Sequence, residues 1–381
     1  MSGVHGQMLG HLVRRGVSAA QVHFSEAGPE PTDGGKTIIV DFNPRKYLPV
    51  MIVGIITALL IASVRYTLGE VIASLAMIES PSATAIIESK PQKYADEPDA
   101  PLEKESMLPA EATADQDIEI TVVNHKPVTA RISTAIRHLH SVGGFFGRWR
   151  GAGVGAVYHM LHAIMTNFLA GFIGFGIAGH ALMHIFSSLA LARVHMAWTH
   201  SMIAAPSSKS WLRRMVPRKQ CKAILLPTLA FAVSQQVTVI MPIAVAFAFG
   251  LPQHMQNGSF DFVNTELSRA DAAYWMFALL SIPLTAIFVA LAILLPASVT
   301  LTRIEAALLP EDQETIVPFD RSLVLGDLDL QTRGACRSVF LQAWKSFEPA
   351  ARLRLIKLYA QMFCLQIFIG LGGVVLMAFF M

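Results

Sequence analysis

The chain has 381 residues, and its composition is that of a membrane protein. Apolar residues make up 53% of it and charged residues only 15%, whereas soluble domains carry about 25% charged residues. The formal net charge of +3 is too small to indicate nucleic acid as a partner. The three cysteines lie far apart and show neither a disulfide framework nor the spacing of a zinc site. Composition therefore predicts an integral membrane protein whose main partner is the lipid bilayer.

Residues 1–47 precede the first apolar run, and we predict that they form a flexible segment. Arg14 and Arg15 stand among His and Ser residues with no acid before Glu26, which weakly resembles a mitochondrial presequence. A disordered tail is the alternative, because Gly and His interrupt the apolar residues of this stretch.

Stretches without Lys, Arg, Asp or Glu predict six membrane-spanning helices. The 42 uncharged residues of Gly151–Ala192 must be two of them, since one helix of that length would be about twice as long as the bilayer is thick. A turn near Gly171–Gly179 is expected to join the two. The other spans are predicted in Leu48–Val64, extending as one long helix to Ile78, and in Ala223–Phe260, Ala272–Thr302 and Leu358–Met381.

The loops that follow spans 1, 3 and 5 are basic in whole or in part. Basic residues dominate 126–150, 206–222 and 333–357, whereas the acids of the first loop all lie within 79–119. Short basic loops stay on the non-translocated face, so these three loops should share one compartment and both termini the other. The acidic stretch 79–119 is predicted to be disordered, and amphipathic helices are predicted in residues 130–151 and 343–359.

The segment LPASVTLTRIEAALLP, Leu295–Pro310, ends the fifth span. We expect a helix that kinks at Pro296, reaches the membrane surface at Arg303 and stops at Pro310. Leu68–Pro81 and Leu191–Pro206 are similar to it.

These three segments lie 123 and 105 residues apart, near one third of the chain length. The predicted fold is therefore an all-α membrane protein with a pseudo-threefold repeat of helix pairs. The repeats would comprise residues 48–174, 175–260 and 261–381.

This layout resembles the mitochondrial carrier family, in which a proline, an acid and a base mark the foot of each odd helix. Pro296 and Arg303 in PASVTLTR resemble that signature, with Ser298 in place of the acid, and GGFFGRWRG resembles the glycine-rich segment before an even helix. The first two copies have Leu68 and Leu191 instead of proline. The resemblance implies a degenerate carrier-like transporter or adaptor in a mitochondrial membrane, without the family's salt-bridge gates.

The chain is also similar to a fungal multi-span membrane family often labelled "ubiquitin carrier protein", through YTLGEVIASLAMIE, HMAWTH and VTLTRIEAALLPEDQETIVPFDRS. A ubiquitin-conjugating domain has a His-Pro-Asn stretch near its catalytic cysteine, and this sequence has none. We therefore predict no enzyme. A structural or interaction protein of the endoplasmic reticulum or another endomembrane is the alternative, and the sequon at Asn257 offers a test of it.

Polar side chains inside the spans are the candidates for a solute site, because such residues face a cavity or a partner helix. If the even helices line a central cavity, a solute would meet His159, His162, Asn167, Gln235, Gln236, Gln361 and Gln366. Hydrogen bonds between helices are the alternative use, and a protein partner would need no such cavity. Glu70 and Arg193 are predicted to form an ion pair, or else to reach the interface separately.

Histidines at matched depth allow a third hypothesis, a haem-bearing oxidoreductase. His159 and His195 could ligate a haem from both faces, whereas hydrogen bonding to hydroxyls and carbonyls is the simpler alternative. His180 and His184 share a face of span 3, and no histidine of span 2 is expected opposite them. We predict no bound cofactor and no metal site. The glycines at 151, 153, 155, 171, 174, 176 and 179 predict close helix packing.

Overall fold

The computed structural model describes residues 44–80, 83–88, 119–124, 126–207, 222–252, 268–326 and 335–380. The predicted N-terminal segment up to residue 43, Cys221 and the sequon at Asn257 lie outside these ranges. Within them the regular secondary structure is helical apart from one pair of short strands and one isolated bridge. The α-helices are α1 (Pro44–Val64), α2 (Ala73–Ile78), α3 (Ile132–Gly143), α4 (Ala152–Ile173), α5 (Gly176–Ala190), α6 (Ala192–Ile203), α7 (Lys222–Ala248), α8 (Arg269–Val289), α9 (Leu295–Ala307), α10 (Ser322–Leu325), α11 (Ala335–Lys345) and α12 (Pro349–Ala378).

Five continuous helical stretches of the described chain are long and apolar enough to cross a membrane. They are Leu48–Ile78, Phe145–Ile173, Lys222–Ala248, Arg269–Ala307 and Pro349–Ala378. The pair α5 and α6, bent by 63°, makes a sixth if it is one span. The prediction of a multi-pass helical membrane protein is thus confirmed, with five spans or six. The long first helix is confirmed as well.

Each odd span is irregular shortly before its end. In the first span a π-helical segment, Arg65–Ile72, separates α1 from α2, and in the fifth another, Ala290–Leu294, precedes α9. Pro296 follows that second segment directly, in the first turn of α9, and the kink expected there stays a prediction. In the third span the helix bends at Leu191. Just before the bend, the Ser188 hydroxyl donates to the backbone oxygen of His184, and hydrogen bonds of this kind often bend helices.

The three final pieces α2, α6 and α9, hereafter the three feet, pack against one another. They are the segments that resemble one another in sequence, and together they form much of the buried core.

The chain that leaves the third foot joins the ends of the other two. The backbone N–H of Ile316 donates to the oxygen of Ile203 at 2.9 Å, and the N–H of Ser80 donates to the oxygen of Pro318 at 2.8 Å. All three feet therefore end on one side of the bundle. The bent pair starts at the opposite side, at the turn before Gly176, so this pairing favours six crossings. The full threefold repeat stays a prediction.

Three local expectations need correction. Arg303 does not reach solvent, because neighbouring elements enclose it and leave 2% of it exposed. The predicted amphipathic helix over residues 343–359 is broken, since α11 ends at Lys345 and α12 begins with Pro349 at its N-terminus. The loop 79–119 contributes a strand, Ala83–Glu88, antiparallel to Glu119–Asn124, because both segments are rich in β-branched residues. The other predicted amphipathic helix is present as α3, over Ile132–Gly143 of the predicted residues 130–151, and its position at the membrane interface stays a prediction.

Candidate functional site

A cavity of about 650 Å³ lies inside the bundle, next to the three feet. Its wall comes from spans 1, 3, 4, 5 and 6, and most of it is apolar. Met77, Met202, Leu291, Leu294, Met362 and Phe363 are among the apolar side chains. The volume falls within the range of small-molecule sites, roughly 300–1,000 Å³.

Eight charged or polar side chains interrupt this apolar wall, and three of them are the hydroxyl residues Ser74, Ser298 and Thr302 of the first and third feet. Arg65 and Glu70 come from the π-helical segment of span 1, His195 and Thr199 from α6, and Gln235 from α7. Charged groups within membrane spans are costly unless they have a partner or a function. The cavity is therefore apolar with one small hydrophilic region, which is the usual composition of a ligand site.

The second and third feet meet in a buried network around Glu305, a residue of α9. Its carboxylate accepts hydrogen bonds from His195 Nδ1 at 2.7 Å and from Thr199 Oγ1 at 2.6 Å. The backbone oxygen of the same residue lies 2.7 Å from His200 Nε2. Because Glu305 is 0% exposed, these contacts replace the water it would otherwise bind.

Arg303 joins the third foot to the first. Its guanidinium donates to the backbone oxygen of Met77 and to Ser346 Oγ, both at 3.0 Å, and lies 5.6 Å from the centre of the Phe347 ring. Arg303 and Glu305 thus fasten the third foot to its two neighbours at the end of the cavity.

Glu79 is the second buried acid of this region, just beyond the first foot. It accepts hydrogen bonds from the backbone N–H groups of Val128 and Thr129 and from the Thr129 hydroxyl, and Arg354 Nη1 lies 4.0 Å away. The residue is 5% exposed, and it ties the end of span 1 to the segment that leads into α3.

Trp198 separates span 2 from the cavity. Its indole stacks with Tyr158 of α4 at 5.8 Å between ring centres and donates from Nε1 to the Tyr66 hydroxyl at 3.2 Å. A Cβ atom at Gly155 of α4 would lie 2.7 Å from that Nε1, so the glycine permits the close approach of α4 and α6. For this reason α4 contributes nothing to the cavity wall.

Of the seven side chains predicted to meet a solute, the structure places Gln235 in the cavity wall. His162 pairs with the Ser188 hydroxyl at 2.9 Å, and Asn167 donates to the backbone oxygen of Ala163. His159 lies against Trp198, and Gln361 is exposed beside two residues that do line the cavity. Gln236 and Gln366 are half-buried outside the wall. The even helices therefore supply only part of the lining, and the odd helices supply the hydrophilic region except Gln235.

Glu70 lies in the cavity wall, whereas Arg193 does not. An ion pair between them stays a prediction. Of the signature-like residues, Ser298 lines the cavity and donates to the backbone oxygen of Leu295, whereas Arg303 belongs to the network just described. Pro296 stands in the first turn of α9.

The haem hypothesis stays a prediction without a structural argument. His195 is bonded to Glu305, and the Tyr158 and Trp198 rings contact both His195 and His159 at 5.0–5.5 Å between centres. The expectation that no histidine of span 2 lies opposite His184 was wrong, because the His162 ring lies 4.5 Å from it. Within the described residues, no group of three or more His, Cys, Asp or Glu is placed to hold a metal ion.

Sequence reasoning missed the importance of Glu305, Thr199 and Trp198. A signal for Glu305 was available in the sequence, because it lies two residues after Arg303 in a foot. If that foot is buried, the acid needs buried hydrogen-bond partners. Nothing in the sequence alone pairs positions more than 100 residues apart, so Thr199 and Trp198 could not have been found in this way.

No family model, curated protein or solved structure matches the chain. The resemblances to mitochondrial carriers and to the fungal membrane family therefore remain expectations of the sequence. The structure by itself identifies a multi-pass helical membrane protein with an apolar internal cavity that ends at three interlocked helix feet.

Proposed function

We propose that the chain is a carrier-like transporter that binds a small solute in the cavity between its spans. The observation that carries this proposal is the position of the cavity. It lies within the bundle, has charged groups in its wall and adjoins the buried end where the three feet meet. Arg65 and Glu70 stand in the wall of this apolar cavity, and charged groups at membrane depth are retained where they have a partner or a function.

A solute pathway requires that water reach the cavity wall. Ser298 lines the cavity, whereas Phe368 of α12 is 76% exposed on the outer surface, where lipid would cover it. In a background with Cys221, Cys336 and Cys364 replaced by serine, we expect Ser298→Cys to react with a charged, water-soluble thiol reagent. Phe368→Cys should stay unreactive, because the reagent does not enter lipid.

In sealed vesicles the same labelling experiment shows from which face of the membrane the reagent reaches the cavity. For a transporter, the reagent should reach Ser298→Cys from each face of the membrane in turn, as the protein alternates between open states. If Ser298→Cys is as inert as Phe368→Cys, the cavity is a dry packing gap, and the interaction-protein alternative is favoured.

The membrane that holds the protein is part of the same proposal, and the carrier resemblance points to mitochondria. A tagged full-length chain should then co-fractionate with mitochondrial membranes. Glycosylation at Asn257, detected as a glycosidase-sensitive gel shift removed by Asn257→Gln, would instead place the protein in the secretory pathway.

A further inference from the structure

The two charged side chains of the cavity wall, Arg65 and Glu70, indicate what kind of molecule the cavity takes. We propose that the ligand is a zwitterionic amphiphile, with a carboxylate bound by Arg65, an ammonium group bound by Glu70 and an apolar chain. This inference rests on the proposed function, in which the cavity is a solute site, and it adds the chemical class of the solute.

The Glu70 carboxylate differs from the other acids of this region in its surroundings. Glu305 and Glu79 both accept several hydrogen bonds from protein groups. Among the residues that the structure describes, none donates a hydrogen bond to the Glu70 side chain or lies within ion-pair distance of it. The Glu70 carboxylate has the charge of Arg65 nearby but accepts no hydrogen bond from the described residues, so a cationic group on the ligand would find an unoccupied acceptor there.

Arg65 stands five residues before Glu70 in the π-helical segment. In a π-helix the hydrogen bonds join residues five apart, so these two side chains lie on the same face, and both line the cavity. A guanidinium binds carboxylate through two parallel hydrogen bonds. The wall therefore presents a cationic and an anionic group side by side, which matches a head group that carries both charges.

Aromatic rings favour the ammonium position. Tyr359 and Trp198 line the same cavity as Glu70, and the faces of such rings attract cations. His195 is the other basic group of the wall, and its Nδ1 is already bonded to Glu305. One free guanidinium facing one carboxylate is a poor match for a ligand with several negative charges, so phosphate-rich solutes do not fit.

The rest of the wall is suited to a hydrocarbon chain. Leucine, methionine and phenylalanine side chains dominate it, and burying each methylene group against them contributes about 0.8 kcal/mol. The volume of about 650 Å³ leaves ample room for a chain of several carbons beside the head group.

Four probes with chains of similar length separate the contributions of the two charges. Norleucine carries both, hexanoate only the negative one, hexylamine only the positive one, and hexanol neither. Equilibrium binding is measured by calorimetry on the full-length protein in lipid nanodiscs, with empty nanodiscs as the blank for partition into lipid. We expect norleucine to bind at least tenfold more tightly than any of the other three.

Two neutralising variants should shift this preference in opposite directions. Glu70→Gln should weaken norleucine and hexylamine about tenfold and strengthen hexanoate, because Arg65 then stands unopposed. Arg65→Gln should weaken norleucine and hexanoate and strengthen hexylamine. Arg269→Gln, an exposed position at the start of α8, is the matched control and should change nothing. If a neutralised variant does not fold, the charge-swapped pair Arg65→Glu with Glu70→Arg keeps both charges and should keep the preference for norleucine.

The outcomes distinguish this inference from the function on which it rests. Equal binding of the four probes, or no binding of norleucine, overturns the zwitterion proposal even if Ser298→Cys proves accessible from both faces. Preferential binding of norleucine with no uptake into proteoliposomes keeps the ligand class and overturns transport. If each variant changed hexanoate binding and hexylamine binding in the same direction, the charges would serve the fold, and this result would also overturn the proposal.

Discussion

Glu305 is fully buried and links the second and third feet, and its removal tests whether these contacts hold the feet together. Glu305→Ala leaves His195 and Thr199 without their acceptor, a carboxylate that is fully buried in the native protein. Removing one partner from a buried charged network typically costs about 3–5 kcal/mol. We expect the thermal unfolding temperature in detergent to fall markedly.

Two further variants calibrate that measurement. Glu305→Gln keeps an acceptor for Thr199 and should fall between the wild type and Glu305→Ala. Glu311→Ala removes an exposed acid just beyond the same helix and should change the free energy of unfolding by less than about 0.5 kcal/mol. Equal effects at positions 305 and 311 would mean that the buried network contributes nothing.

Arg303 tests the link between the first foot and the third. Lysine keeps the charge but cannot reproduce the planar group that donates to Met77 and Ser346 at once. Arg303→Lys should therefore destabilise the protein by about 1–3 kcal/mol, the value of hydrogen bonds to a charged group.

The matched control for this variant is Arg269→Lys, an exposed arginine at the start of α8. Chemical denaturation of both variants is the measurement. The prediction fails if Arg303→Lys unfolds at the same denaturant concentration as the control.

At the level of helices, the contact between α4 and α6 depends on one small residue. An added methyl group at Gly155 would lie 2.7 Å from Trp198 Nε1, whereas at Gly153 it would meet nothing within 4 Å. Both glycines lie in α4, so both gain the same helix propensity on mutation to alanine. Gly155→Ala should therefore destabilise the protein by about 1–3 kcal/mol through overpacking, and Gly153→Ala should be neutral or stabilising.

Trp198 supplies a second measurement for this pair, because separation of α4 from α6 would alter the surroundings of its indole and its bond to Tyr66. Near-ultraviolet circular dichroism should change in Gly155→Ala and not in Gly153→Ala. Indistinguishable spectra and stabilities would show that the two helices can part without cost.

The sequence predicts those features of the helices that depend on neighbouring residues, but not those that depend on contacts between residues far apart in the chain. The turn between α4 and α5 and the long first span follow from uncharged run length and glycine position, and both were predicted. The bend at Leu191 has neither glycine nor proline at its centre, so the two residue types that most clearly mark a helix break in a sequence are absent there. Glycine stripes predict close packing in general, but only the fold shows that Gly155 meets Trp198 while Gly153 meets no side chain.

Across the whole molecule, the similarity of the three feet was visible in sequence, and their mutual packing agrees with it. What the sequence could not supply is the way they are joined, because that depends on contacts between residues more than 100 positions apart. The acidic and basic loop pattern predicts sidedness, and the backbone bonds from residues 314–318 to Ser80, Ile203 and Ala205 place the ends of the feet together. Both arguments lead to the same topology by independent routes.

That topology can be tested by single cysteines in sealed vesicles, again without the native cysteines. If the bent pair crosses the membrane, Lys126→Cys, Ser207→Cys and Glu311→Cys share one face, and Phe175→Cys and Arg269→Cys share the other. All five positions are exposed, so an impermeant maleimide can reach each of them. If α5 and α6 instead entered and left by the same face, Ser207→Cys would be labelled together with Phe175→Cys, whereas Lys126→Cys would not. Since the feet are joined through hydrogen bonds that water would otherwise satisfy, we expect the six-span pattern, with Ser207→Cys and Glu311→Cys labelled from the same side as Lys126→Cys.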